Sequence, residues 1–389
     1  MKILYDYQIF QFQRFGGISK YFIEIINELP AKAKYKISIQ LFENVHLKEK
    51  TLLSPSKTNL ITRERYFSKY NFRGKWRLYD FLHEKFPQKF NEYHSLNKDC
   101  SVFELKKQRF DIFHPTYYDP YFLEYIGNKP FVLTVHDMIH EKFAHLFTND
   151  LTAKPTIENK KKTILAAAHI IAVSENTKKD IIEYYGIEAS KISIVYHSSS
   201  LIKNTKTTLQ LPSQYILYIG TRYLYKNFTT FIRAIKNILI EKSIKLLCVG
   251  ATFNDEENAL LEELGIIEYC VQLFVDDNEL YQVYANALFF VFPSLYEGFG
   301  IPILEAFDAG CPALISNTSC FPEIAGDAAV YFNPYDAADI ESAVRRLIEN
   351  GEERKGLITN GKERIKAFSW KNSAKQTVEV YKKVLNVTK

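Results

Sequence analysis

Glu297-Gly298-Phe299-Gly300-Ile301-Pro302-Ile303-Leu304-Glu305 is the stretch on which the reading of the fold turns. The run before it, Leu288–Phe292, is apolar and aromatic, which predicts a strand buried on both faces that ends at Pro293. After the glycines, Pro302 predicts the first helical position; Ile303, Leu304, Ala306 and Phe307 begin a helical pattern, and Gly310 closes it. A strand, a glycine turn and a helix in that order aim backbone N–H groups and the positive end of the helix dipole at the loop. Gly298 and Gly300 let a ligand approach the main chain. Phosphate binds well to such a turn. Glu297 on the loop and Glu305 in the first helical turn are expected to reach different parts of one ligand, a vicinal diol being a natural partner for each.

The same rhythm runs outward in both directions. Lys2–Asp6, Lys36–Leu41, Phe110–Phe113, Phe131–Val135, Ile170–Val173 and Ile192–Tyr196 read as strands alternating with helical stretches. Tyr215–Gly220, Lys245–Gly250, Val271–Phe274, Leu288–Phe292, Ala313–Ser316 and Ala329–Phe332 repeat the pattern. Each half predicts a doubly wound α/β domain, with the polar stretch from Ser198 to Pro212 as linker and ligand expected between the domains, at the carboxyl ends of both sets of strands. The expected division is 1–205 and 206–369, with a helix over 370–389, opened by Ser369 and Trp370, completing the first domain. Residues from about 47 to 105 interrupt the alternation with a charged, aromatic insert that includes Arg63-Glu-Arg65-Tyr-Phe67 and Arg73-Gly-Lys-Trp76-Arg77. This insert is expected to be helical, and it is either a cover for the first sheet or a contact for an acceptor or a membrane.

Composition narrows the class. In 389 residues, 47% are hydrophobic and 24% charged, close to globular averages. No apolar run approaches the roughly 18 residues of a spanning helix, and Asp6 and Gln8 spoil the amino terminus as a signal peptide, so a cytoplasmic protein is expected. Five cysteines without a C-x-x-C pair predict reduced thiols rather than a disulfide framework. The net charge of +5 is uneven: residues 1–200 carry 30 basic and 22 acidic side chains, whereas 201–389 carry 20 and 23. Such an excess suits an anionic membrane surface or a lipid-diphosphate acceptor better than nucleic acid, or else an ordinary lysine-rich surface.

Other residues fall at the same ends of strands. Gly220-Thr-Arg222-Tyr-Leu-Tyr-Lys226 places two cations four apart after a strand, where both can address one diphosphate. A cation pair in a first helical turn opposes the dipole unless an anion is bound. Gly16 and Gly17 follow the first strand and permit close backbone approach, His136 and Asp137 follow Phe131–Val135, and Ser174 with Thr177 read as a helix cap. Phe274 and Val275, at the end of a second-half strand, line either a nucleobase site or the core. His136, His140 and Glu141 resemble zinc-ligand spacing, but the H-E-x-x-H order is absent, and Asp276-Asp277 lacks the D-x-D arrangement, so no metal is expected.

The E-x7-E segment, with Ser294 and Tyr296 before it and Glu305-Ala-Phe-Asp-Ala-Gly310-Cys-Pro312 after it, resembles retaining glycosyltransferases of family 4, which have the GT-B fold of two Rossmann-like domains facing a cleft. The resemblance implies that Glu297 contacts donor-sugar hydroxyls and Glu305 the nucleotide ribose. It implies that Arg222 and Lys226 hold the donor phosphates, with Gly298, Phe299, Gly300 and Ile301 completing the donor turn. Gly16 and Gly17 match the loop that reaches donor phosphate and acceptor, and His136 matches a group that orients the reacting sugar, with Asp137 beside the acceptor or orienting its own loop. The first loop also looks like that of bacterial enzymes building O-antigen or capsule chains, several of which use GDP-mannose or GDP-rhamnose. The function implied is a hexosyltransferase without a cofactor, taking a GDP- or UDP-hexose as substrate and a glycan or polyprenyl-diphosphate-linked oligosaccharide as acceptor, at the inner face of the cell membrane. Three other readings fit parts of the sequence: a hydrolase using Glu297 and Glu305 as a carboxyl pair, a nucleotide-sugar epimerase of the same plan, and a non-catalytic glycan- or nucleotide-binding protein.

Overall fold

The computed structural model describes residues 1–50, 74–85, 93–204 and 209–387. Among the described residues, twelve strands are found where the apolar runs predict them: β1 Lys2–Tyr5, β2 Lys34–Ile37, β3 Ile112–His114, β4 Val132–Val135, β5 His169–Ala172, β6 Ile192–Ile194, β7 Tyr215–Ile219, β8 Lys245–Val249, β9 Cys270–Leu273, β10 Phe289–Phe292, β11 Ala313–Ser316 and β12 Ala329–Phe332. One of them is displaced. The sequence predicts β2 over Lys36–Leu41, but the strand stops at Ile37 because Asn97 Oδ1 accepts the N–H groups of Gln40 and Leu41, both at 2.9 Å. A side chain has taken the backbone donors that a longer strand would need. Within the insert, the described residues are helical at Val45–Lys50, Lys75–Lys85 and Tyr93–Lys106. The Arg63–Phe67 stretch and Arg73 lie outside the described residues.

Contacts group the chain into two compact units: Met1–Thr134 with Glu158–Ile170 and Thr377–Lys389, and Val135–Ile157 with Ile171–Gln376. The first holds the parallel sheet β2-β1-β3. Strands β4, β5 and β6 form a second three-stranded sheet in that order, and an isolated parallel bridge joins Phe113 to Phe131. The second unit is built on a six-stranded sheet, β12-β11-β10-β7-β8-β9, parallel throughout. Side chains alternate across it as the pleat requires. Tyr215, Leu217, Leu247, Phe290, Phe292 and Ile315 face one core with Ile303, Leu304 and Phe307 of the helix Ile301–Ala309. Ile216, Tyr218, Leu246, Phe289, Val291 and Leu314 face the other, against Ile235 and Ile238 of the helix Phe228–Lys242. Both faces are covered, which is why these strands read as continuous apolar runs.

In the first unit, the second half of the carboxyl-terminal helix, Trp370–Val387, is tied down by a buried polar cluster. Tyr381 Oη lies 3.0 Å from Tyr5 Oη and 2.6 Å from His114 Nδ1, while His114 Nε2 lies 2.9 Å from Thr134 Oγ1. Burial pushes the His114 imidazole down from 6.5 to about 3, so it is neutral in the folded protein at ordinary pH. The unfolded chain binds this proton near pH 6.5 and the native chain does not. The stability that neutral His114 contributes is present above pH 6.5 and is lost as pH falls from there toward about 3. Thermal midpoints are expected to drop through that window, this one group contributing at most about 1.4 kcal/mol per pH unit. A His114→Gln chain, which carries no titrating ring, should show a shallower drop; parallel curves would contradict the assignment.

Candidate functional site

Renumbered from β7, the six-stranded sheet has the order 6-5-4-1-2-3, which places a topological switch point between β7 and β10. Ligands of open α/β sheets bind outside the carboxyl ends of the strands at such a point. The two loops that leave there are Gly220–Asn227 and Pro293–Gly300, the two that the sequence singles out.

The turn after β10 is held from several sides. Gly300, at φ +92°, is the N-cap of Ile301–Ala309, so Ile301 and not Pro302 takes the first helical position and Glu305 falls in the second turn rather than the first. A left-handed backbone there favours glycine. Gly298 is in closer quarters: a Cβ on it would lie 1.7 Å from the carbonyl oxygen of His136 and 3.1 Å from Asp137 Cβ. The His136-Asp137 segment after β4 and the glycine turn after β10 are thus in direct contact. Ser174 Oγ and Thr177 Oγ1 donate to the Gly298 carbonyl at 2.7 and 3.2 Å, and the buried thiol of Cys320 donates to the carbonyls of Glu297 and Phe299 at 3.2 and 3.1 Å. His136 is buried, its ring 5.9 Å from that of His197, which packs in turn on Phe299 at 4.8 Å. Burial drives the His197 ring well below the usual histidine range, with His136 adding to the effect.

The cations sit differently from the sequence expectation. Lys226 ends a 3₁₀ turn, Leu224–Lys226, and the helix starts only at Phe228, with Asn227 at φ +57° as its cap. The pair therefore precedes the helix instead of occupying its first turn, and the dipole argument no longer applies to it. Each cation has its own carboxylate. Lys226 Nζ lies 2.5 Å from Glu297 Oε1, and both side chains are largely buried. Arg222 forks onto Glu257, with Nε and Nη2 at 2.8 and 3.0 Å, and Nη2 also donates to the carbonyls of Ala251 and Thr252. Its buried Nη1 has no hydrogen-bond partner among the described residues, and neither has the Oγ of Ser294. Both are donors at the switch point left for something else to satisfy.

Two family models match. One, described as Glycosyl transferases group 1, covers residues 202–364, and the other, described as Glycosyltransferase Family 4, covers residues 15–198. The chain belongs to glycosyltransferase family 4. It is similar to the O-antigen chain mannosyltransferase B of Escherichia coli, 28% identical over 94% of this chain and 96% of that one. It is also similar to the serotype-specific mannosyltransferase WbdA of Escherichia coli, 26% identical over 65% of this chain but only 33% of that longer protein. Among solved structures, sucrose-phosphate synthase from Thermosynechococcus elongatus superimposes with a TM-score of 0.70 at 18% identity over the whole of both chains. The fold is GT-B, and the protein is a glycosyltransferase.

The remaining expected residues of this glycosyltransferase are more scattered. Glu305 is buried and accepts from Tyr284 Oη at 3.0 Å. Val275 packs partly on the core, whereas Phe274 is 74% exposed. Gly16 and Gly17 belong to the first unit, where Gly17 opens the helix Gly17–Asn27. Of the residues with zinc-like spacing, His140 packs on Phe147 with ring centroids 4.7 Å apart and Glu141 accepts from Tyr185 Oη at 2.8 Å. The five cysteines are free thiols; Cys248, Cys311 and Cys320 are buried, but Cys100 and Cys270 are only partly so. Sequence reasoning missed Glu257, Asp180 and Cys320. None has a local signal, because each acts on a loop 21 to 116 residues away.

Proposed function

We propose that this enzyme is a retaining mannosyltransferase that takes a GDP-linked hexose as donor and a hydroxyl of a growing surface glycan or lipid-linked oligosaccharide as acceptor. The observation that carries the reading is the Lys226–Glu297 pair beside the glycine turn at the switch point. The likeness to a mannosyltransferase over nearly the full length supports the choice of sugar. In this reading the diphosphate lies against Lys226, the free Nη1 of Arg222 and the first amides of the Gly298–Ile301 turn, where helix N–H groups lack intrahelical partners. Glu297 accepts from donor-sugar hydroxyls, His136 orients the sugar, Glu305 serves the ribose, Phe274 and Val275 the base, and Asp137 the acceptor.

The acceptor oxygen bonds to the anomeric carbon on the face from which the diphosphate departs. The carbon–oxygen bond to phosphate breaks, and a leaving phosphate oxygen takes the acceptor proton. Configuration is kept, and the cations and amides stabilise the developing charge in place of a metal. Exposed Leu78 and Phe81 beside exposed Arg77 and Lys85 on the helix Lys75–Lys85 support a site of action at the inner membrane face. A panel of nucleotides and nucleotide sugars checks the donor. A ligand at about 100 times its dissociation constant adds about 2.7 kcal/mol to stability, so GDP and GDP-mannose should raise the thermal midpoint more than UDP and its sugars, with or without EDTA. A larger rise with UDP would reject the donor assignment.

A further inference from the structure

Ser174, Thr177 and Asp180 recur every third residue at the start of the helix Glu175–Tyr185, so they share one face of it, and all three are buried. That face meets the donor turn on both sides of Glu297. Ser174 and Thr177 donate to the carbonyl of Gly298, and Tyr296 Oη donates to Asp180 Oδ2 at 2.5 Å. Asp180 also accepts from Lys142 Nζ at 2.8 Å and from Asn176 Nδ2 at 2.9 Å. A buried carboxylate is tolerated when donors of this kind surround it, and hydrogen bonds to its charge are roughly twice as strong as neutral ones. The Tyr296 ring is buried beside Ile139 and Phe147, with Phe143 6.0 Å away, so the phenol is confined as well as bonded.

We infer that Asp180, acting through Tyr296, is a positioning residue that sets the direction of the Glu297 side chain. The inference rests on Glu297 being the group that holds the donor sugar. Ser174 and Thr177 hold the carbonyl of Gly298 and Cys320 that of Glu297 itself, while the Tyr296–Asp180 bond holds the residue before it, so the backbone is fastened on both sides of the side chain that Lys226 pairs with. Displacement of a substrate-holding group by about 1 Å can cost about 100-fold in rate, which is why a bond well away from the reacting atoms matters.

Tyr296→Phe removes the O–H and keeps the ring, and Asp180→Asn removes the charge. With the full chain, GDP-mannose and a synthetic mannoside acceptor, each change should lower kcat by about 10- to 100-fold. GDP affinity measured by calorimetry should stay within about threefold of the unsubstituted chain, since the phosphate contacts are untouched. The double variant should be no slower than the slower single one, because both changes act on the same bond, Asp180→Asn by removing its charge and Tyr296→Phe by removing its donor. Without any ligand, amide exchange at residues 295–297 should quicken in Tyr296→Phe, while 298–301, anchored by Ser174, Thr177 and Cys320, keeps its rate and the thermal midpoint falls by no more than a few degrees. Wild-type kcat and exchange in Tyr296→Phe, or additive losses in the double variant, would overturn the inference. If the unsubstituted chain neither binds GDP nor turns over GDP-mannose, the reading of Glu297 fails instead, and the exchange measurement still decides whether Asp180 holds the turn.

Discussion

Lys226→Met should slow sugar transfer by about 100- to 1,000-fold, the loss typical of removing one preorganised group that faces developing charge. Lys226 and Glu297 are 15% and 13% exposed, so their 2.5 Å pair stands in a poorly solvated place where each neutralises the other before donor arrives. When a diphosphate leaves, the ammonium has a second anion to stabilise, and its stabilisation grows as the bond to the sugar breaks. Methionine keeps an apolar side chain of similar length but carries no charge to either anion, nor to the rings of Tyr225 and Phe292, which lie 5.2 and 5.4 Å from the ammonium. The same change also leaves Glu297 unpaired, which destabilises the fold, so the single variant mixes two effects. A double variant separates them. Lys226→Met with Glu297→Gln has no orphaned charge and should melt close to the unsubstituted protein, yet it should transfer sugar no faster than the worse single variant. Recovery of activity in the double variant would mean that the pair is structural, and a loss under tenfold in Lys226→Met would put the diphosphate elsewhere. Steady-state kcat for GDP-mannose and thermal midpoints on the same samples distinguish these outcomes.

Much of the fold is legible in the chain because parallel strands covered on both faces must be apolar throughout. Phe289–Phe292 and Tyr215–Ile219 announce themselves without any partner in view. The edge strand β2 does not: Lys34, Tyr35 and Lys36 are exposed, so the apolar signal starts later than the strand and runs into a segment that Asn97 has capped. The site divides in the same way. Glycines at a strand end, a helix start behind them and carboxylates at fixed spacing are local facts, and the structure keeps Glu297, Gly298 and Lys226 together as those facts suggest. Which carboxylate holds which cation is a long-range fact. Arg222 looks like a free phosphate ligand until Glu257, 35 residues on and busy capping its own helix through Asn254, is found to grip two of its nitrogens. Glu305 likewise reads as an open ligand until Tyr284 is seen donating to it.

Gly298→Ala is expected to do more damage than any other single methyl group added to this chain's donor turn. Its Cβ would fall 1.7 Å from the His136 carbonyl oxygen and 2.8 Å from the carbonyl carbon. Backbone cannot swing aside as a flexible side chain would, so either the His136-Asp137 segment or the turn itself has to move. The turn is fastened by Ser174, Thr177 and Cys320, and His136 by the end of β4, so the strain spreads into contacts that orient Glu297 and His136 together. Overpacking of this sort costs about 1–3 kcal/mol, occasionally more, and here it also separates two groups assigned to the same sugar. The melting temperature should fall by several degrees and kcat by at least about 100-fold, with GDP affinity reduced as the first amides of the helix shift. Gly356→Ala makes the matching control. Gly356 lies inside the helix Gly351–Arg364 with nothing within 4 Å of an added Cβ, so the same substitution should stabilise by about 0.5–1 kcal/mol and leave turnover unchanged. Opposite signs for two identical chemical changes are what close backbone approach predicts. A Gly298→Ala chain that melts and turns over like the unsubstituted protein would show that the strand end and the glycine turn are not in contact in solution.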